Sequence, residues 1–175
     1  MSEYGCICNG YICNLYGMSL LPQGTRAEDL FELQLARTMF LQKEIYSEVL
    51  GAFGLETFEF HVITRLAEED GLSQAELGAR VLRGKVAISR LVDTLVERGL
   101  VTRAADRRDT RVWNIRLTPR ARKLFPKALA AVRATSRRVL AGLSAREEAQ
   151  LNALLVRVQE SLVALRTERA NQEVA

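Results

Sequence analysis

The stretch that decides the fold, residues 73–118, reads SQAELGARVLRGKVAISRLVDTLVERGLVTRAADRRDTRVWNIRLT. Two short helical patterns separated by a turn come first. A short apolar strand, an arginine-rich loop and an alternating strand follow them. This order predicts a mainly α protein, built as a winged helix-turn-helix with flanking N- and C-terminal helices that form a dimer.

Local signals mark the ends of both predicted helices. Ser73 and Glu76 form a capping box at the start of the first. Gly84 is placed to cap the second, which is expected over residues 85–98 and ends at Gly99. A stripe at helical spacing marks its core side: Ile88, Leu91, Val92 and Leu95.

The other side of the second helix is small, polar and cationic, with Lys85, Ala87, Ser89, Arg90 and Asp93. A helix in a DNA major groove needs an apolar side to hold it and such a side to meet phosphates and base edges. Any surface helix of a soluble protein also has a polar face. The helix alone therefore leaves both interpretations open.

A strand–loop–strand pattern with a high positive charge follows. Residues 100–103 and 112–117 are the predicted strands, with a loop over residues 104–110 between them, and Trp113, Ile115 and Leu117 alternate as on a half-buried strand. Residues 98–123 contain nine Lys/Arg and two Asp/Glu, a local charge of +7 in a chain of +4. Basicity concentrated in this way indicates a polyanion-binding site.

The motifs GLSQAELGARV and KVAISRLVDTLVERGLVTR, followed by Asp109-Thr110-Arg111, resemble the multiple-antibiotic-resistance regulator (MarR) family over roughly residues 55–123. The resemblance implies that residues 85–90 enter the major groove and that Asp109 braces the wing. Three positions depart from the family pattern: Thr110 replaces a second arginine, Gly84 an acidic or hydroxyl cap, and Ala121 a glycine. The expected DNA contacts are Ser73, Gln74, Lys85, Val86, Ala87, Ser89, Arg90 and the wing residues Arg107, Arg108 and Arg111.

The flanking segments are predicted to make a homodimer. Thr25 and Glu28 form a capping box for a helix to about residue 50, and Ser144 with Glu147 caps the last helix. That helix carries a long apolar stripe: Leu151, Leu154, Leu155, Val158, Leu162 and Leu165. A second subunit is the natural cover for it. The expected domains are a weakly ordered tail over residues 1–24, a dimerisation region over 25–54 and 120–175, and a DNA-binding domain over 55–119.

All three cysteines, Cys6, Cys8 and Cys13, lie in the first 17 residues. Their spacing matches no zinc pattern, and the single histidine, His61, is far away in sequence. No metal or cofactor is expected, and the segment is interpreted as a tail that ends before a second possible start at Met18. A thiol-based redox regulator of the same fold is the alternative. Peroxide sensors of the family carry the cysteine in the first helix, which argues against this alternative.

The predicted function is a cytoplasmic, dimeric repressor that leaves an inverted-repeat operator when a small aromatic or phenolic acid binds. The resemblance implies that class of effector, and Phe40, Phe60 and His61 are candidates for its pocket. A hydrogen-bonded structural histidine is the commoner role for a residue such as His61. Two recognition helices in a two-fold dimer would enter major grooves about 34 Å apart, which favours an inverted repeat.

Other classes of protein fit the sequence less well. The sequence contains no run of about 18 apolar residues, so a membrane helix is not expected. The first residues do not resemble a signal peptide. No metalloprotease motif, phosphate-binding glycine loop or nucleophile with a nearby base is present, so an enzyme is not expected. A protein–protein adaptor with the same fold would not need the basic segment.

Overall fold

A computed structural model of the chain describes residues 7–8, 11–12, 26, 30–105 and 113–172. The chain divides into two compact units, Met1–Ile45 and Tyr46–Ala175. In the first unit, β1 (Ile7–Cys8) and β2 (Tyr11–Ile12) pair antiparallel with Ile7 opposite Ile12. The weakly ordered tail stays a prediction, because most of residues 1–24 lie outside the described part.

The second unit is mainly helical and contains one small sheet. The long helix α1 (Phe31–Gly51) runs from the first unit into it. The elements that follow are α2 (Thr57–Glu68), β3 (Leu72–Ser73), α3 (Gln74–Arg80), α4 (Lys85–Glu97), β4 (Val101–Ala105), β5 (Trp113–Leu117), α5 (Pro119–Val139) and α6 (Ala145–Gln172). The three strands form an antiparallel sheet in the order β3-β5-β4. This order of helices and strands confirms the predicted winged helix-turn-helix.

The core forms where α2, α3 and α4 pack against the sheet. The predicted stripe of α4 faces it, with Ile88, Val92 and Leu95 fully buried and Leu91 partly buried. The other elements contribute aliphatic side chains, among them Val62, Ile63 and Leu66 of α2, Leu77 of α3, Val101 of β4 and Ile115 of β5. Burying such side chains contributes about 1.5–3 kcal/mol each, and this holds α4 in a fixed orientation.

The start of α1 was predicted about five residues too early. The N–H groups of Leu33 and Gln34 both donate to the carbonyl of Leu30, each over 3.1 Å, so the helix begins at Phe31. The proposed capping residues Thr25 and Glu28 lie outside the described residues. A capping box is a local signal of about 1 kcal/mol, too weak to fix a helix start by itself.

The sheet differs from its prediction in three details. β4 continues through Ala105, where a loop had been expected from residue 104. β3 was not predicted, because two residues are too few to show alternation; its Leu72 pairs with Ile115. Trp113 was expected on the buried side with Ile115 and Leu117, yet 52% of its surface is exposed. It lies beyond the edge of the core, beside the undescribed residues 106–112.

Both helices after the sheet begin at local capping residues, and the cap of α6 is the predicted one. The Thr118 hydroxyl accepts a hydrogen bond from the N–H of Ala121 over 3.2 Å, and Pro119 occupies the first helical position. The helix continues through Pro126. At the start of α6, the Ser144 N–H donates to the Glu147 carboxylate over 2.8 Å.

Candidate nucleic-acid interface

The angle between α3 and α4 depends on a glycine that the sequence reasoning did not single out. A Cβ atom on Gly78 would lie 3.0 Å from the Arg83 carbonyl oxygen and 3.3 Å from Cγ2 of Ile88. The same residue accepts, through its carbonyl, a 2.8 Å hydrogen bond from the N–H of Arg83. Glycine inside a helix lowers stability by about 1 kcal/mol relative to alanine. A glycine within a predicted helix therefore indicates a packing role, and this is the sequence signal that could have identified Gly78. Gly78 lets the two helices cross closely.

The N-terminal half of α4 presents the predicted contact residues to solvent. Lys85, Val86, Ala87 and Arg90 are exposed, whereas Ser89 is half-buried. Gly84 caps the helix, and the first turn has no acidic residue. Val86 and Arg90 are four residues apart and point away from the buried stripe, so they lie one above the other at the centre of the exposed face. The exposed face of α4 therefore presents a cationic group and an apolar group, and the first turn of the helix has no carboxylate that would repel an anion.

The acidic residue next along this face has a partner of its own. Asp93 forms an ion pair with Arg103 of β4, and Nη1 of Arg103 lies 2.7 Å from Oδ1 of Asp93. This ion pair joins the middle of the recognition helix to the first wing strand. It also neutralises a carboxylate that would otherwise repel DNA phosphates.

Ser73 and Gln74 lie at the start of α3 and are both half-buried. The Ser73 hydroxyl accepts from the N–H of Glu76 over 3.2 Å, and the Glu76 carboxylate accepts from the N–H of Ser73 over 2.8 Å. Hydrogen bonds to the carboxylate from the Ser73 side chain and then from the Ser73 N–H hold the pKa of Glu76 below its usual value. The predicted capping box is therefore present, and the Ser73 hydroxyl is already engaged within the protein.

Because that hydroxyl caps α3, Ser73→Ala is expected to lower the free energy of unfolding by about 1 kcal/mol in the absence of DNA. Urea denaturation followed by circular dichroism measures this. Ser144→Ala is the matched control, since Ser144 makes the same reciprocal bonds with Glu147 at the start of α6. Both variants should lose stability, and only Ser73→Ala should also weaken DNA binding. Unchanged stability in Ser73→Ala would contradict the capping role.

Much of the basic segment 98–123 has a structural role. Of its six described basic side chains, four pair with carboxylates outside the segment: Arg98 with Glu59, Arg103 with Asp93, and both Arg116 and Arg122 with Asp70. The local charge of +7 therefore overstates the positive charge available to a polyanion.

Asp70 joins three elements at the base of the wing. One carboxylate oxygen accepts from the N–H of Leu117 over 2.9 Å. The other receives Arg122 over 2.8 Å and lies 3.5 Å from Arg116. The turn after α2, the end of β5 and the start of α5 are thereby held together. An Asp-Gly pair such as Asp70-Gly71 indicates a turn in a sequence, but it gives no sign of these long-range partners.

A second carboxylate, Glu59, anchors the far end of α4. Only 2% of its surface is exposed. It accepts from the N–H of Glu56 over 2.8 Å and from the Arg98 guanidinium, which also donates to the carbonyl oxygen of Gly54. Arg98 immediately follows α4, so this network fixes the recognition helix to the start of α2 and to the turn before it.

The candidate pocket residues lie in different surroundings. Phe60 is buried, with its ring centroid 5.8 Å from that of Phe125. His61 is exposed, and its ring lies edge-on to Phe58 at 5.7 Å. Desolvation of the ring lowers the pKa of His61, and the positive charges of Arg65 and Arg83 lower it further. Phe40 belongs to the unit Met1–Ile45 and is 78% exposed.

Other predicted residues lie outside the described part of the chain: Cys6, Cys13, Arg107, Arg108, Asp109 and Arg111. Cys8 ends β1. Within the described ranges, no group of three or more His, Cys, Asp or Glu side chains is arranged to hold a metal ion. The described helices also include none with the length and apolar content needed to cross a membrane.

Comparison with known proteins identifies the family. The sequence profile of the MarR family matches residues 53–112. An HTH-type transcriptional repressor of Mycobacterium tuberculosis is 34% identical over 109 residues, which cover 62% of this chain and 78% of the relative. A probable transcriptional regulator from Pseudomonas aeruginosa has a similar structure, with a TM-score of 0.67, 29% identity, and coverage of 76% of this chain and 99% of the other.

A second solved structure is that of CouR from Rhodococcus jostii RHA1 bound to p-coumaroyl-CoA. Its TM-score is 0.68 at 26% identity, over 75% of this chain and 92% of CouR. The profile, the relative and both structures agree with the helix-turn-helix geometry described above. The chain belongs to the MarR family, whose members are transcriptional regulators and not enzymes.

Proposed function

We propose that this regulator is a homodimeric repressor that binds an inverted-repeat DNA operator through α4. The observation that carries the proposal is the exposed first half of α4, where Lys85, Val86 and Arg90 project from a helix whose opposite side is locked in the core. Arg and Lys recognise guanine O6 and N7 in the major groove, and both also bind phosphates. A rigidly held helix can use such groups for sequence-specific recognition.

The wing is proposed to bind the DNA backbone or the adjacent minor groove. Antiparallel β4 and β5 are connected by a segment of sequence that contains Arg107, Arg108 and Arg111. Asp109 is proposed to brace that segment by pairing with a neighbouring arginine. Contacts to phosphates or the minor groove carry little sequence information, so the wing should contribute mainly to affinity.

The second subunit is proposed to cover α6. Among the described side chains of α6 none is buried, and seven of the exposed ones are large and apolar: Leu151, Leu154, Leu155, Val156, Leu162, Val163 and Leu165. Exposed apolar surface of this extent marks an interaction site. Residues 25–54 and 120–175 are therefore proposed as the dimerisation region, with 55–119 as the DNA-binding domain. A two-fold axis would place the two α4 helices about 34 Å apart, in successive major grooves.

An aromatic or phenolic acid is proposed as the effector. The CouR structure contains p-coumaroyl-CoA, a ligand with a phenolic group. A ligand releases DNA when it binds more tightly to a conformation in which the two recognition helices no longer match the groove spacing. DNA binding of this kind also implies that the protein acts in the cytoplasm.

Binding to a selected operator tests the proposal. Duplexes retained by the full-length protein from a random library should share an inverted repeat. Fluorescence anisotropy should then show tighter binding to that repeat than to a scrambled duplex. The slope of log affinity against log salt should be about −0.9 for each phosphate neutralised. Light scattering should give the mass of a dimer. Equal affinity for every sequence would overturn sequence-specific regulation, and a monomer at binding concentrations would overturn the two-fold arrangement.

The same assay distinguishes the effector classes. Phenolic acids and their CoA thioesters are expected to release the labelled operator. Hydrogen peroxide is expected to have no effect, because the proposed mechanism uses no cysteine. Release by peroxide and not by any aromatic acid would instead support the thiol-based alternative.

A further inference from the structure

We propose that Val86 reads the 5-methyl group of a thymine in each operator half-site. The inference rests on the proposed DNA-binding function and adds a base preference to it. Val86 is 66% exposed in the first turn of α4, opposite the side that packs in the core. Recognition helices contact base edges with their N-terminal residues, so this turn is the part expected to meet the bases.

The chemistry of the side chain selects the base. Valine has no hydrogen-bonding group, and thymine is the only one of the four bases that presents a methyl group in the major groove. An amino or carbonyl edge of another base would lose its water next to Val86 and gain no partner. Such an unpaired polar group costs free energy, so Val86 favours thymine both by contact and by excluding the alternatives.

A short side chain reaches the base edge only if the helix backbone comes close to the groove floor, and the structure leaves room for that. Gly84 caps α4 with an ordinary φ of −67°, and a Cβ atom there would meet nothing within 4 Å. Neither backbone strain nor packing within the described residues therefore calls for glycine. Ala87, also exposed, adds a second small residue. Apart from Lys85, the first turn of α4 has no long exposed side chain.

The position of Arg90 locates the thymine within the half-site. Val86 and Arg90 are one turn apart on the exposed face, a rise of about 6 Å. Base pairs are stacked about 3.4 Å apart along the duplex. If Arg90 binds a guanine, the thymine read by Val86 should lie within about two base pairs of it.

Deoxyuridine substitution tests the contact, because it removes the methyl group and keeps the pairing. An operator selected from a random library by the full-length protein is synthesised with each thymine replaced in turn, symmetrically in both half-sites. One symmetric replacement should weaken binding about fifteenfold, which is about fourfold, or about 0.8 kcal/mol, for the one buried methyl group lost in each half-site. The other thymines serve as internal controls.

The protein variants complete a double-mutant cycle. Val86→Ala should bind the unmodified operator more weakly and should no longer distinguish thymine from uracil at the sensitive position. Val96→Ala is the matched control, since Val96 is also an exposed valine of α4 but lies near its C-terminal end. It should keep the full sensitivity to the methyl group.

The outcomes separate this inference from the function on which it rests. If operators are enriched and no thymine is sensitive, or Val86→Ala keeps the sensitivity, the methyl contact is wrong while DNA binding stands. If the library yields no preferred sequence, the proposed function and the inference both fail.

Discussion

Arg98→Met is expected to lower the free energy of unfolding by about 3 kcal/mol, near the lower end of the range for breaking a buried ion pair. The methionine leaves the Glu59 carboxylate buried and without its charged partner, and it also removes the donor to the carbonyl oxygen of Gly54. We expect a loss at this lower end of the range because 36% of the Arg98 side chain is exposed. Urea denaturation of the variant and the wild type at one pH measures the difference.

Two controls test whether the unpaired carboxylate is the cause. Adding Glu59→Leu to Arg98→Met should recover about 1–2 kcal/mol, because the double variant has no buried charge to leave unpaired. Recovery should be incomplete, since Glu59 also accepts from the N–H of Glu56. Arg103→Met breaks the pair with Asp93, a carboxylate that is half exposed where Glu59 is buried, and should cost at most about 1 kcal/mol. Equal losses in Arg98→Met and Arg103→Met would contradict the anchoring role.

Arg90→Ala is expected to abolish operator binding and to leave the fold and the proposed dimer intact. Arg90 is exposed on the side of α4 away from Ile88 and Leu95, so the substitution removes DNA contacts and little packing. A lost base or phosphate contact costs about 1–3 kcal/mol in each subunit, which gives roughly a 30- to 10⁴-fold loss of affinity for two subunits. Fluorescence anisotropy with the selected operator measures it.

The matched control for this change is Arg157→Ala. Arg157 is likewise an exposed helical arginine, located on α6. Both substitutions remove one positive charge, so a purely non-specific electrostatic effect would weaken binding equally. Only Arg90→Ala should cause the large loss. Wild-type affinity of the Arg90→Ala variant would contradict the proposed role of α4 in binding DNA.

Sequence alone was enough to predict the elements that depend on neighbouring residues. The capping box of Ser73 and Glu76, the glycine start of α4 and the end of that helix at Gly99, with φ of +65°, are all present. These features involve residues within one turn of each other, and a short segment contains all the atoms that make them. The apolar stripe of α4 was predicted for the same reason, since a helical repeat fixes which side faces the core.

Contacts between distant parts of the chain were decided only by the tertiary structure. Arg98 and Glu59 are 39 positions apart, and Arg122 and Asp70 are 52 apart. The sequence showed that residues 98–123 are basic. It did not show which of these charges are neutralised by carboxylates elsewhere, because a net charge contains no information on pairing. Exposure of Trp113 has the same origin, since alternation predicts which side of a strand a residue occupies and the neighbouring elements determine where the core ends.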